Sequence, residues 1–144
     1  MNPRIALIAA ATLIPPLQVF ASAGMAAEFD GSKPLLCASV EIMSCVPGTG
    51  CRAETVESIN APQFLDINFD QKRITGARAL ANPVSTQIEQ IRRDEENTVL
   101  NGVDGRLAWN LAIATETGKM ILTAIRTTEA EPVAIVIFGA CTVR

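Results

Sequence analysis

The sequence predicts an all-β fold: a small, single-domain antiparallel up-and-down β-barrel of about eight strands, stapled by disulfides. Three observations carry this expectation. Short β-prone runs recur at spacings of about 8 to 14 residues. Turn residues separate them, Asp104-Gly105 most clearly. Four cysteines, Cys37, Cys45, Cys51 and Cys141, bracket the chain from its first expected strand to just beyond its last, as in small exported domains that meet an oxidising compartment.

Taken in order, the chain opens on an expected secretory signal. Arg4 supplies a positive start, residues 5–14 form an apolar run, and Ala21-Ser22-Ala23 offers an A-x-A cleavage site, with a second near Ala27. Pro15-Pro16 ends the run well short of the about 20 apolar residues that span a bilayer. Leu36 before Cys37 does not suit lipid attachment. Residues 1–23, or 1–27, are therefore expected to be removed, leaving one domain over 28–144 in the periplasm or outside the cell, with no stable membrane anchor.

Residues 35–43 read as the first strand. A second, 64–69, puts Leu65, Ile67 and Phe69 on one face, and Asp70-Gln71-Lys72 turns it into 73–79. Residues 84–92 have two readings. Val84, Ile88 and Ile91 share a helical face after Asn82-Pro83, but short turns on both sides favour a strand. Beyond them the pattern is plain. Residues 98–103 lead through Asp104-Gly105 into 107–114, where Leu107, Trp109, Leu111 and Ile113 alternate with Ala108, Asn110, Ala112 and Ala114. The turn at 116–119 returns the chain along 120–126, and a looser loop leads to 133–138. These last four strands form a meander.

Four cysteines allow three pairings. Along one extended strand Cys37 and Cys45 stand roughly 26 Å apart, far beyond the ~7 Å that a disulfide spans. In a closed barrel with an even strand count, the first strand starts beside the end of the last. Cys37–Cys141 and Cys45–Cys51 follow, the second closing the turn at Pro47, Gly48 and Gly50. A four-thiolate zinc site is disfavoured by the irregular spacing.

Catalytic equipment is scarce. The chain has no histidine, which removes the commonest general base and the usual activation of serine or cysteine. It has no S-x-x-K beside its three lysines and no Gly-rich phosphate loop. Asp66-x-Asn68-x-Asp70 opens like a calcium loop, but Gln71 stands where glycine is required and Ala77 where glutamate is. A carboxylate pair for hydrolysis can be drawn from Glu41, Asp66, Glu89 and Asp104. No enzyme and no cofactor is expected. Removing Arg4 from a formal net charge of −3 leaves −4, and no basic tract survives to bind nucleic acid.

The last strand carries an apolar surplus. Val133, Ile135 and Ile137 face one way and Ala134, Val136 and Phe138 the other, beside Ile121 and Ile125. Either a segment of this chain covers the second face, or Val136, Phe138, Ile121 and Ile125 form a patch for a partner protein or a second copy. Asp30-Gly31-Ser32-Lys33-Pro34-Leu35-Leu36-Cys37-Ala38 and Phe138-Gly139-Ala140-Cys141-Thr142 resemble a group of small, uncharacterised exported bacterial proteins. That resemblance implies export and a stapled fold but no activity. In size, export and expected barrel form the chain is also similar to periplasmic lysozyme inhibitors, without their inhibitory loop. The expected function is a non-enzymatic periplasmic binding domain. A carrier of a small apolar ligand is the first alternative and a carboxylate hydrolase the second.

Overall fold

Ten strands alternate with turns in a computed structural model that describes residues 28–78, 82–127 and 131–144. The expected signal at 1–23 lies outside these residues. The strands are β1 (Leu35–Val46), β2 (Gly50–Glu54), β3 (Phe64–Asn68), β4 (Arg73–Ala77), β5 (Val84–Gln87), β6 (Gln90–Arg93), β7 (Asn97–Asp104), β8 (Leu107–Ala114), β9 (Lys119–Arg126) and β10 (Val133–Val143). Every pairing is antiparallel, and the lateral order is β5-β4-β3-β1-β10-β9-β8-β7-β6, with β2 attached to β1 alone. The sheet curls into a half-barrel that follows the chain, so the expected meander β7 to β10 is present strand for strand.

The segment 84–93 shows how the two ends of the curled sheet meet. It forms two short strands rather than the single one expected, and no helix. β5 pairs with β4 and β6 pairs with β7. At the break, the Ile88 amide donates to Lys72 O at 2.8 Å and the Glu89 amide to Asn101 O at 2.9 Å. One stretch of chain thus changes partners across the gap between β4 and β7. Ile88 is buried where it turns. Gly102 on β7 permits the approach, because a Cβ there would lie 2.5 Å from Gln87 O and 2.5 Å from Trp109 Cζ2.

β1 is the organising strand. It pairs along one side with β10 over nearly its whole length, and on its other side with β3 and then β2. A bulge between Ser39 and Glu41 separates the two halves and leaves Val40 in solvent. One inserted residue switches the inward-facing set. Leu35 and Cys37 are therefore buried before the bulge, and Ile42 and Ser44 after it. β2 was not expected as a strand. It is the return arm of a hairpin, and it lies outside the curled path.

Cys37 stands opposite Cys141 in the β1–β10 ladder and is bonded to it. Cys45 stands opposite Cys51 in the β1–β2 ladder and is bonded to it. Both expected pairings are present. The first disulfide lies inside the core and joins residues 104 apart in sequence. The second sits on the outer surface. The hairpin at β7–β8 also forms, one residue later than its dipeptide suggests. Asp104 still pairs with Leu107, and Gly105 (φ +60°) with Arg106 makes the turn. A left-handed first residue followed by an ordinary one is the type II′ pattern.

The core is aliphatic. Leu35, Ile67, Leu100, Leu111, Ile113 and Met120 are fully buried, and Trp109 and Phe69 nearly so. Leu122 packs against them half-buried.

Candidate functional site

Two parts of this fold bear on binding, its outer face and the two mouths of the half-barrel. On the outer face, Phe138 of β10 stands directly opposite Ile121 of β9, Val136 opposite Thr123, and Ala134 opposite Ile125. Ile121, Ile125 and Phe138 are 46%, 49% and 40% exposed. Their exposure has a local cause. The next strand presents only Ala112 beside Ile121 and Ala108 beside Ile125, because β8 turns its large residues inward. Side chains that short do not cover their neighbours. On the other flank, Met43 and Glu41 of β1 stand opposite Val136 and Phe138. An open apolar groove continues the patch past Ile125, bounded by the Cys45–Cys51 disulfide, Pro47 and Pro132.

The first described residues do not lie over this face. Residues 28–34 instead seal one end of the half-barrel. Phe29 is buried there, its amide donating to Thr115 O at 3.2 Å and its carbonyl accepting from Thr98 Oγ1 at 3.1 Å. Arg93 holds the same strap. Its Nε donates to Asp30 O at 2.9 Å and its Nη2 to Gly31 O at 3.2 Å, with the guanidinium 5.9 Å from the Phe69 ring centre. The Asp30 carboxyl accepts from the Ser32 amide at 2.8 Å, and hydrogen bonding from Ser32 holds it below the usual carboxylate range.

The opposite end is open. A cavity of about 90 Å³ enters the core there, walled by Leu65, Ile74, Trp109, Leu111, Leu122 and Ala124, with Arg78, Asp104 and Leu107 at its rim. The Trp109 indole donates to Thr86 Oγ1 at 3.2 Å. A shallow groove shares Arg78, Asp104 and Leu107 and adds Arg106 and Arg126. Among the described residues no ion pair involves any of these three arginines. The buried Nε of Arg78 has no hydrogen-bond partner.

The remaining sequence candidates scatter. Asp66 lies on the outer side of β3 in an ion pair with Arg144. Glu41 is on the outer side of β1, Glu89 at the bend after β5, and Asp104 at the open rim. The four carboxylates are not gathered into one cleft. Asn68 has a turn role, its Oδ1 accepting from the Gln71 amide at 2.9 Å. No group of three or more carboxylates or cysteines able to hold a metal occurs among the described residues. A second apolar surface was not anticipated: Leu36, Phe64, Ala77 and Pro83 surround a shallow groove outside β1, β3 and β4. Nor was the arginine rim. Its signal was topological, since Arg78, Arg106 and Arg126 follow β4, follow β7 and end β9, which a meander brings to one end.

Comparison with known proteins finds no matching family model, no matching curated protein and no matching solved structure.

Proposed function

We propose that this chain is a non-enzymatic binding domain of the periplasm, released from its signal segment, and that its target is another protein docked on the outer face of β9 and β10. Two disulfides are consistent with an oxidising exported location. The observation that carries the docking is the pairing of Phe138 with Ile121 on the solvent side, with Ile125 two register positions further along. Both strands are hydrogen-bonded on each edge, so a partner meets side chains rather than a free ladder. The described strap supports the reading by covering a barrel end and leaving this face bare. The partner surface it fits is apolar and uncharged at its centre, because Val136, Phe138, Ile121 and Ile125 surround only Thr123.

Site-specific photocrosslinking from position 123 tests this. In an exported-protein extract of the source organism, a crosslinker at Thr123 is expected to yield one dominant protein adduct that the Ile121→Ser/Phe138→Ser variant loses. A crosslinker at Gln71, in the β3–β4 turn, is expected to lack it. The same adducts from both positions, or none from 123, would refute the docking face. An adduct with a second copy of this chain would replace the partner protein by a homodimer.

One observation favours a second reading, a carrier of a small apolar ligand. The cavity at the open end has an apolar wall and reaches Trp109. Binding of hexanol, followed through Trp109 fluorescence, tests it.

A further inference from the structure

The structure assigns the open end to a small amphiphilic anion, with its charged head on the arginine rim and a short apolar group in the cavity beside Trp109. The inference rests on the carrier reading and adds the ligand's chemistry.

The apolar half of the site is set by size and lining. Its volume of about 90 Å³ is below the ~150 Å³ of a closed apolar cavity that admits benzene. A short alkyl chain, or one edge of a ring, is what it accommodates. The cavity opens outward rather than closing over, so a longer molecule keeps its other end at the rim.

The polar half is set by unspent donors. Arg78, Arg106 and Arg126 converge on the groove that continues the cavity, with Asp104 the carboxylate among its lining residues. Among the residues lining that groove, three guanidiniums outnumber one carboxylate. Of the other described arginines, Arg52, Arg73, Arg93 and Arg144 have bonded partners, and Arg92 on β6 lies outside this groove, whereas the rim brings three together. The buried Nε of Arg78 without a partner is a donor that water does not reach and protein does not satisfy. Planar guanidinium groups match carboxylate, sulfonate and phosphate oxygens. A headgroup seated at the rim would meet the exposed Arg106 and Arg126 guanidiniums while its apolar end displaces solvent from the wall.

The test compares hexanoate, hexanol and hexylammonium on the intact mature protein, by calorimetry with Trp109 fluorescence in parallel. Hexanoate is expected to bind at least about tenfold more tightly than either of the others. Arg106→Gln/Arg126→Gln, at exposed rim positions, is expected to weaken hexanoate about tenfold without moving hexanol, and Arg92→Gln on β6 to do neither. Because Arg78 is partly buried, Arg78→Gln is read only alongside its thermal unfolding. Hexanol binding as tightly as hexanoate, or a rim variant without effect, overturns the anion and leaves the carrier. Failure of all three probes overturns both. Association of the protein with anionic phospholipid vesicles, with no affinity for free hexanoate, overturns the small-molecule ligand.

Discussion

The two ends of this half-barrel are built from the same strands yet finished in opposite ways. At one end the chain folds back on itself: Phe29 enters the core, Arg93 grips the carbonyls of Asp30 and Gly31, and Thr98 and Thr115 bind the backbone of the strap. At the other end three arginines have no ion-pair partner among the described residues and the core wall reaches solvent. Polar groups at the first end are spent on structure. Those of the three rim arginines at the second make no ion pair among the described residues. Bonded donors hold a fold, and unbonded ones beside an apolar wall are available to a ligand.

The largest way to disturb this contrast acts on both ends at once. Cys37→Ala/Cys141→Ala unlinks the seam of β1 and β10, and a loop of this length is worth about 4.7 kcal/mol in the chain-entropy model. Cys45→Ala/Cys51→Ala opens a six-residue separation and is expected to cost about 2 kcal/mol by the same relation. Urea unfolding of the two variants orders them directly, and equal losses would remove the special weight given to the seam.

Next comes the sealed end alone. Phe29→Ala is expected to lose about 3 kcal/mol, since a buried ring leaves a cavity behind. Arg93→Ala removes two hydrogen bonds and is expected to cost about 1–2 kcal/mol. Arg106→Ala at the open end is expected to stay within about 0.5 kcal/mol of the parent. If Arg106 proves as costly as Arg93, the open end is structural too and the contrast fails.

The smallest effect is electrostatic. The Asp30 carboxyl is held below its ordinary value of 3.8 by Ser32. A depressed carboxylate contributes stability that is complete above its unfolded value and fades as pH falls through its folded one. Protection of the Ser32 amide, measured against its intrinsic exchange rate, is therefore expected to fall below about pH 3.8, and Asp30→Asn to abolish that pH dependence. The group is almost fully exposed, so solvent keeps the effect small.

Much of the scaffold was legible because strand periodicity and cysteine geometry are strong constraints. Alternation in 107–114 marked both faces of β8, and the length of β1 by itself excludes a Cys37–Cys45 bond. β2 was not legible, since Arg52, Ala53 and Glu54 have no core face to impose a pattern. The break at Ile88 was hidden because Val84, Ile88 and Ile91 fit a helical face or a single strand, and neither reading marks a change of partner. The outer patch was visible as an apolar surplus, but whether the chain covered it depended on where Phe29 went. The arginine rim was invisible residue by residue, because its members are scattered and only strand direction unites them.

Trp109, the single tryptophan, reports on the open end and supplies the most direct measurement. Quenching of its fluorescence by iodide and by caesium, at low ionic strength where charge is least screened, compares access for the two signs of ion. An open, arginine-lined mouth predicts a larger constant for iodide, lowered by Arg106→Gln/Arg126→Gln while the caesium constant holds or rises. Equal constants for both ions, unchanged by that variant, would contradict it.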